Sequence, residues 1–126
     1  GKIRHPQSAF ITDGILGGTP HPRSFGSFPR ILGRYVREKR TLSMEDAVRR
    51  MTSLTADRLG LKRKGRISPG YDADMVIFDP ASIIDRGTYN IPEQTPEGIR
   101  WVLVRGEVAA RDGCHMGSSS GRVIRR

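Results

Sequence analysis

One carboxylate and two basic side chains near the start of this 126-residue chain could do chemistry. An apolar run, residues 10–12, leads directly to Asp13 and Gly14, and residues 21–23 then read His-Pro-Arg. An α/β enzyme presents a catalytic acid in this way, at the carboxyl end of a strand. From the residues alone, Asp13 also fits a helix cap or turn former before the glycine, and Arg23 also fits a plain surface charge.

The partners that such an aspartate would need are missing from the rest of the sequence. The three histidines, at positions 5, 21 and 115, form neither a His-x-His pair nor a His-Glu-x-x-His motif, so a self-contained zinc site is not expected. Cys114 stands beside His115, but two adjacent residues make a poor ligand set. Residues 14–18 lack the Gly-Lys-Ser/Thr ending of a phosphate-binding loop.

Length and composition narrow the class of protein. A chain of 126 residues can bury one core but is too short for a closed (β/α)₈ barrel, which needs roughly 200 residues or more. No apolar run approaches the roughly 20 residues that span a bilayer. The single cysteine excludes an internal disulfide framework and fits a reducing compartment. We therefore expect a cytoplasmic protein with no membrane partner and an inert thiol.

The positive charge is concentrated in the middle of the chain. Residues 23–66 carry thirteen Lys and Arg against four acidic side chains, whereas the flanking residues are close to neutral. This pattern can indicate nucleic-acid or anion binding, or a surface that docks on something acidic. A solvated basic helical face is the plainer interpretation. Few aromatic residues lie among the basic ones, which disfavours a stacking surface for single-stranded nucleic acid.

The first half of the chain is predicted to be mainly helical. We expect a strand over residues 6–12, a loop over residues 14–29 and a helix over residues 30–39. Ser43, with an acidic residue three positions on, predicts the start of the next helix. A further helical turn over residues 56–59 should stop at a glycine, Gly60.

The second half is predicted to be a small β unit, with the seam between the halves near residues 61–66. Residues 75–78 predict a buried strand, and residues 99–104 and 107–110 predict a hairpin around Arg105-Gly106. Residues 123–124 could add an edge strand. The expected fold class is α+β.

Three stretches resemble the amidohydrolase superfamily. Residues 65–79, Gly-Arg-Ile-Ser-Pro-Gly-Tyr-Asp-Ala-Asp-Met-Val-Ile-Phe-Asp, resemble the segment in which those chains return to their small β domain. Residues 44–61 are similar to the helical segment that comes before it, and residues 98–106 are similar to the closing hairpin.

A narrower resemblance involves the candidate site itself. Residues 12–14, residues 21–23 and residues 28–38 together resemble the N-acyl-D-amino-acid deacylases, or D-aminoacylases. The match runs over nearly the whole chain. Thr12 departs mildly from the family pattern, which more often has Ser before the aspartate.

The resemblance implies a role for each of these residues. Residues 1–62 would form the last strand, active-site loop and helices of a (β/α)₈ catalytic barrel, and residues 63–126 would form part of a small β-sandwich domain. Asp13 would lie beside a zinc ion as catalytic residue and metal ligand, accepting a proton from the metal-bound water and delivering it to the leaving amine. Arg23 would hold the α-carboxylate of an N-acyl-D-amino acid. No catalytic role is assigned to His21.

The same resemblance predicts how the isolated chain behaves. Family members are several times longer, with a histidine pair and most of the barrel upstream, so we expect this chain alone to have no deacylase activity and no tight zinc site. Ile31, Tyr35, Val48 and Met51 would have packed on absent strands, which predicts self-association. Two alternatives stay open: a non-catalytic β-rich binding or assembly module, and a basic nucleic-acid-binding domain.

Overall fold

The structure, a computed structural model, describes residues 2–15 and 17–124. It confirms the predicted α+β class, with a helical half (residues 2–61) and a sheet half (residues 62–124). A 3₁₀ turn at Lys2–Arg4 precedes the helices α1 (Arg23–Arg30), α2 (Met44–Met51) and α3 (Ser53–Arg58), and a π-helical stretch (Ile31–Glu38) continues α1. The strands are β1 (Met75–Phe78), β2 (Ile99–Val104), β3 (Glu107–Arg111) and β4 (Cys114–His115). Within the described residues, no helix is long and apolar enough to cross a membrane.

The strand predicted over residues 6–12 is wrong for this chain. A strand needs a hydrogen-bonded neighbour, and no strand lies beside this segment in the described residues. Its backbone carbonyls are bound instead by arginine side chains of α2, at Pro6 and Ser8. The one backbone bond from it to α2 joins Phe10 N–H to Arg50 O at 3.4 Å.

The first helix begins seven residues before the predicted start at residue 30. Gly26 and Pro29 made residues 23–29 look like loop, yet both are buried inside α1. Pro29 has no N–H, so it removes one bond from the helical ladder. The turns that follow are wider, with the Lys39 N–H bonded to Arg34 O at 2.9 Å. Packing of α1 against the rest of the protein therefore outweighs the local preference of Gly26 and Pro29 for a loop.

The start of α2 agrees with the prediction. The Ser43 side-chain oxygen accepts a hydrogen bond from the Asp46 N–H at 3.1 Å, as an N-cap should. Thr52, with φ −125° and ψ −89°, separates α2 from α3. The second helical turn thus begins at Ser53, three residues before its predicted start, and Gly60 follows with φ +65°.

The sheet half is a four-stranded antiparallel sheet in the order β1-β2-β3-β4. The predicted two-residue turn between β2 and β3 is confirmed, because Arg105 (φ +53°) and Gly106 (φ +83°) both lie in the left-handed region. A second turn of this kind, Asp112-Gly113, leads into β4, which was not predicted as a strand. Residues 123–124 form no strand.

The core lies between the helices and the segment that follows β1. Its fully buried members are Leu32, Ala47 and Ile83, so the sheet half contributes directly to the packing of the helices. Ile31 and Met51 also pack on this core, although they were expected to need absent strands. Val48 remains partly exposed, at 37%. Self-association stays a prediction.

Candidate active site

Asp13 lies at a turn that follows residues 8–12, a segment that belongs to no helix or strand. Its backbone is left-handed, with φ +49°, a conformation that aspartate tolerates better than most residues. The Thr12 hydroxyl accepts a hydrogen bond from the Gly14 N–H at 3.4 Å. A Cβ on Gly14 would stand 3.1 Å from the Ser24 side-chain oxygen, so the turn lies close against the start of α1. The carboxylate is 70% exposed and accessible.

Arg23, the first residue of α1, meets Asp13 across ten residues of sequence. Its Nη2 lies 3.1 Å from Asp13 Oδ2, and its Nε donates to the Asp13 backbone carbonyl at 3.1 Å. The guanidinium is 44% exposed. The structure therefore brings together the two residues that the sequence singled out, with the basic group oriented by two separate bonds.

His21 lies beside this pair and is held from two sides. Its Nδ1 accepts a hydrogen bond from the Arg23 N–H at 3.0 Å. Its ring also meets the ring of Tyr89 edge to face, with centroids 5.1 Å apart and planes at 83°. Sequence reasoning missed Tyr89, because a tyrosine in a loop 68 positions away carries no local sign of this contact.

The residues described do not form a metal site by themselves. Among residues 2–15 and 17–124, no three His, Cys, Asp or Glu side chains are grouped so as to hold a metal ion. Asp13 offers a single exposed carboxylate, which could be one oxygen ligand among several. Cys114 and His115 are exposed on β4. The absence of a tight zinc site in the isolated chain stays a prediction.

Arg50 is the second residue that sequence reasoning missed. It is fully buried in α2, although the spacing of apolar residues along this helix gave no sign that this basic side chain would be buried. Its Nε donates to Ser8 O and its Nη1 to Ile3 O, both at 2.6 Å, and the guanidinium lies 4.3 Å from the centroid of the Phe10 ring. The segment that leads to Asp13 is thus held in place by one buried cation.

Much of the positive charge in residues 23–66 is bound within the chain. Arg37 donates to Ile83 O at 2.7 Å, Arg49 donates to Pro6 O at 2.8 Å, and Arg66 pairs with Asp57 through two bonds of 2.7 and 2.8 Å. Hydrogen bonds from Arg66 hold the pKa of the Asp57 carboxyl below its usual value. These arginines therefore bind other segments of the same chain, which favours a structural role for them over a nucleic-acid-binding surface.

Comparison with known proteins shows which family the chain belongs to. A family model described as the amidohydrolase family matches residues 3–110. The chain belongs to the amidohydrolase family. Among curated amidohydrolase relatives, a D-aminoacylase from Alcaligenes xylosoxydans xylosoxydans is 43% identical over 107 residues, covering 85% of this chain and 22% of the relative. An N-acyl-D-glutamate deacylase from the same organism is 45% identical over 107 residues, with the same coverage of 85% and 22%.

Solved amidohydrolase structures share this fold. The crystal structure of a D-aminoacylase superposes with a TM-score of 0.90 at 41% identity, over 94% of this chain and 25% of that one. An N-acyl-D-glutamate deacylase from Bordetella bronchiseptica, solved with zinc and a phosphonate inhibitor, gives 0.83 at 42% identity, over 90% and 25%. The resemblance to D-aminoacylases is confirmed. The chain spans about a fifth to a quarter of the length of these amidohydrolases.

Proposed function

We propose that this chain is the C-terminal part of a zinc-dependent hydrolase that cleaves the amide bond of N-acyl-D-amino acids. The products are a D-amino acid and a carboxylate, and one water molecule is consumed. In this proposal residues 1–62 complete a (β/α)₈ barrel and residues 63–126 belong to a small β-sandwich domain. The observation that carries it is the Asp13–Arg23 pair, 3.1 Å apart at an exposed turn, in a chain that matches 22% of a D-aminoacylase at 43% identity.

Asp13 is the proposed catalytic residue and a metal ligand. Its exposed carboxylate, on a turn fixed against α1, can accept a proton from the attacking water and deliver it to the leaving amine. A zinc ion held jointly by Asp13 and residues outside this chain would supply the acidity of that water. In this proposal the segment before Asp13 forms the last barrel strand in the complete enzyme, paired with strands that lie outside this chain.

Arg23 is the proposed site for the substrate's α-carboxylate. A guanidinium carries five N–H donors and binds carboxylates with two parallel bonds. The contacts with Asp13 use two of its nitrogens, Nε and Nη2. One arginine can therefore orient the catalytic carboxylate and still offer donors to the substrate, which places the scissile amide beside Asp13.

The deciding experiment compares the isolated chain with the complete enzyme. A zinc-supplemented assay on N-acyl-D-amino acids should show no turnover by the isolated chain, and dialysis against zinc should leave no stoichiometric metal bound. In the complete enzyme, Asp13→Asn should lower kcat by about 10²–10⁴-fold, the range usual for losing a general acid–base group.

Asp112→Asn is the matched control. Asp112 also has a left-handed backbone, with φ +46°, and an exposed side chain near an arginine, but it lies in the β3–β4 turn. Its replacement should leave kcat unchanged. Turnover by the isolated chain would overturn its expected inactivity, and equal losses in the two variants would rule out the proposed assignment of Asp13.

A further inference from the structure

A segment of the sheet half returns to the candidate site. We call residues 82–97, which connect β1 to β2, the bracing segment. Its base is closed by two backbone bonds between Ile84 and Glu97, at 2.9 and 3.2 Å, and by an Arg86–Glu97 ion pair at 3.0 Å. The residues between them therefore form a closed loop with a fixed base.

This loop packs against α1. A Cβ on Gly26 would stand 2.6 Å from the Asp85 Cβ, so the two backbones approach too closely for any larger residue. Asp85, whose side chain is only 8% exposed, also pairs with Arg30 at 3.0 Å. Gly87 is in ordinary van der Waals contact with Pro22, with 3.5 Å between its ideal Cβ and the proline Cβ. The loop thus contacts α1 along its length, from Pro22 before the helix to Arg30 at its end.

The tip of the loop presents Tyr89 to His21. Thr88 and Ile91 form a turn closed by two bonds of 3.0 Å, from Thr88 N–H to Ile91 O and from Ile91 N–H to the Thr88 hydroxyl. Tyr89 projects from this turn and is 74% exposed, yet its ring meets the His21 ring in an edge-to-face geometry that is favourable for aromatic pairs. A rigid turn therefore sets the position of the ring.

We propose that Tyr89 is a positioning residue for the carboxylate-binding arginine. Tyr89 fixes the His21 ring, the His21 Nδ1 accepts the Arg23 N–H, and the Arg23 side chain bonds to Asp13. This inference rests on the proposed function, since it assigns Tyr89 to the recognition of the same α-carboxylate.

Kinetics of the complete enzyme test the role in substrate binding. Tyr89→Ala should raise KM for an N-acyl-D-amino acid by up to about tenfold, because an aromatic pair contributes at most ~1.5 kcal/mol. The fall in kcat should be smaller than the rise in KM, since Arg23 also orients Asp13. Tyr89→Phe keeps the ring and should behave as wild type. The KM defect of Tyr89→Ala should vanish for the carboxamide analogue, which lacks the charge that Arg23 binds, and it should vanish in an Arg23→Ala background.

Ile91→Ala is the matched control, since this exposed residue lies in the same turn and engages it through its backbone. Its KM should not change. An active wild-type enzyme with an unaltered KM in Tyr89→Ala, or an equal defect on the carboxamide, would overturn the role of Tyr89 and leave the proposed function standing. A complete enzyme with no deacylase turnover would overturn both.

Nuclear magnetic resonance of the 126-residue chain tests the contact without any assay. The His21 ring protons should carry a ring-current shift in wild type and in Tyr89→Phe, and this shift should be lost in Tyr89→Ala together with a change at the Arg23 amide. Identical His21 spectra in all three proteins would overturn the contact and the inference with it.

Discussion

The bonds that stabilise the helical half differ in kind from the bonds that stabilise the sheet half. In the helical half, arginine side chains bind backbone carbonyls far away in sequence, as Arg50 binds Ser8 O over 42 residues and Arg49 binds Pro6 O over 43. In the sheet half, neighbouring strands pair through backbone hydrogen bonds, and two-residue turns join β2 to β3 and β3 to β4. The candidate site lies in the half that depends on long-range side-chain bonds, so its geometry should be sensitive to changes far from Asp13.

The largest expected effect is at the buried arginine. Arg50→Ala removes the donors to Ile3 O and Ser8 O and leaves the Asp46 carboxylate without one of its two cations. We expect the free energy of unfolding to fall by about 3–5 kcal/mol, the cost of breaking a buried charge network. Urea-induced unfolding of the variant and the wild type measures the difference.

Arg58→Ala provides the control for Arg50. Arg58 also links the helices to the N-terminal segment, through Gln7 Oε1 at 3.2 Å, but it is exposed. Its loss should cost less than about 1 kcal/mol. Equal destabilisation by the two variants would show that burial of the arginine is not what holds the helical half, and the contrast between the halves would fail.

A smaller effect is expected in the sheet half. Gly106→Ala places a Cβ on a residue with φ +83°, while its nearest neighbour, Ala73 Cβ, stays 3.9 Å away. The cost is therefore backbone strain alone, about 1–2 kcal/mol. Gly121→Ala, at a glycine with open space around it and no left-handed backbone, should change stability by less than about 0.5 kcal/mol. Thermal unfolding of the pair distinguishes turn geometry from a general effect of removing glycine.

The smallest effect is a dependence on pH at the start of α2. A hydrogen bond from Arg49, with a further one from Arg50, holds the pKa of the Asp46 carboxyl below its usual value, against a smaller opposing effect of burial. A carboxyl whose pKa is lower in the folded state stabilises the fold above its unfolded pKa, near 3.8, and loses that contribution as pH falls through the folded pKa.

Asp46→Asn tests this dependence. It should destabilise the chain by about 1 kcal/mol or less at neutral pH, and the difference from wild type should shrink below about pH 4. Unfolding curves at pH 7 and pH 3 measure both values. A constant difference across this range would mean that the carboxylate charge of Asp46 does not support Arg49 and Arg50.

Local signals in the sequence were enough to predict several elements. Ser43 marks a helix start because its own side chain caps a backbone N–H three residues on. Arg105 and Gly106 mark a tight turn because a two-residue hairpin needs left-handed backbone, which glycine adopts easily. Asp13 and Arg23 were found through a motif, since their contact spans only ten residues.

Features that depend on distant residues were missed or predicted wrongly. Residues 6–12 have the composition of a strand, but no strand of the described residues pairs with them. Pro29 and Gly26 indicate a loop locally, yet packing against Asp85 favours a helix there. Nothing in the helical pattern around Arg50 shows that its partners are backbone carbonyls near the N-terminus.

The close approach of α1 to the bracing segment limits which helical and sheet halves can be joined in a chimaera of this chain and its relatives. Gly33 lies against the Ile83 carbonyl and Gly26 against Asp85. The residues before and after the seam at 61–66 therefore pack closely, and each surface depends on the shape of the other. A chimaera that joins the helices of one deacylase to the sheet of another at this seam would combine surfaces that were never matched. Such a chimaera should therefore be more stable when α1 and the bracing segment come from the same parent.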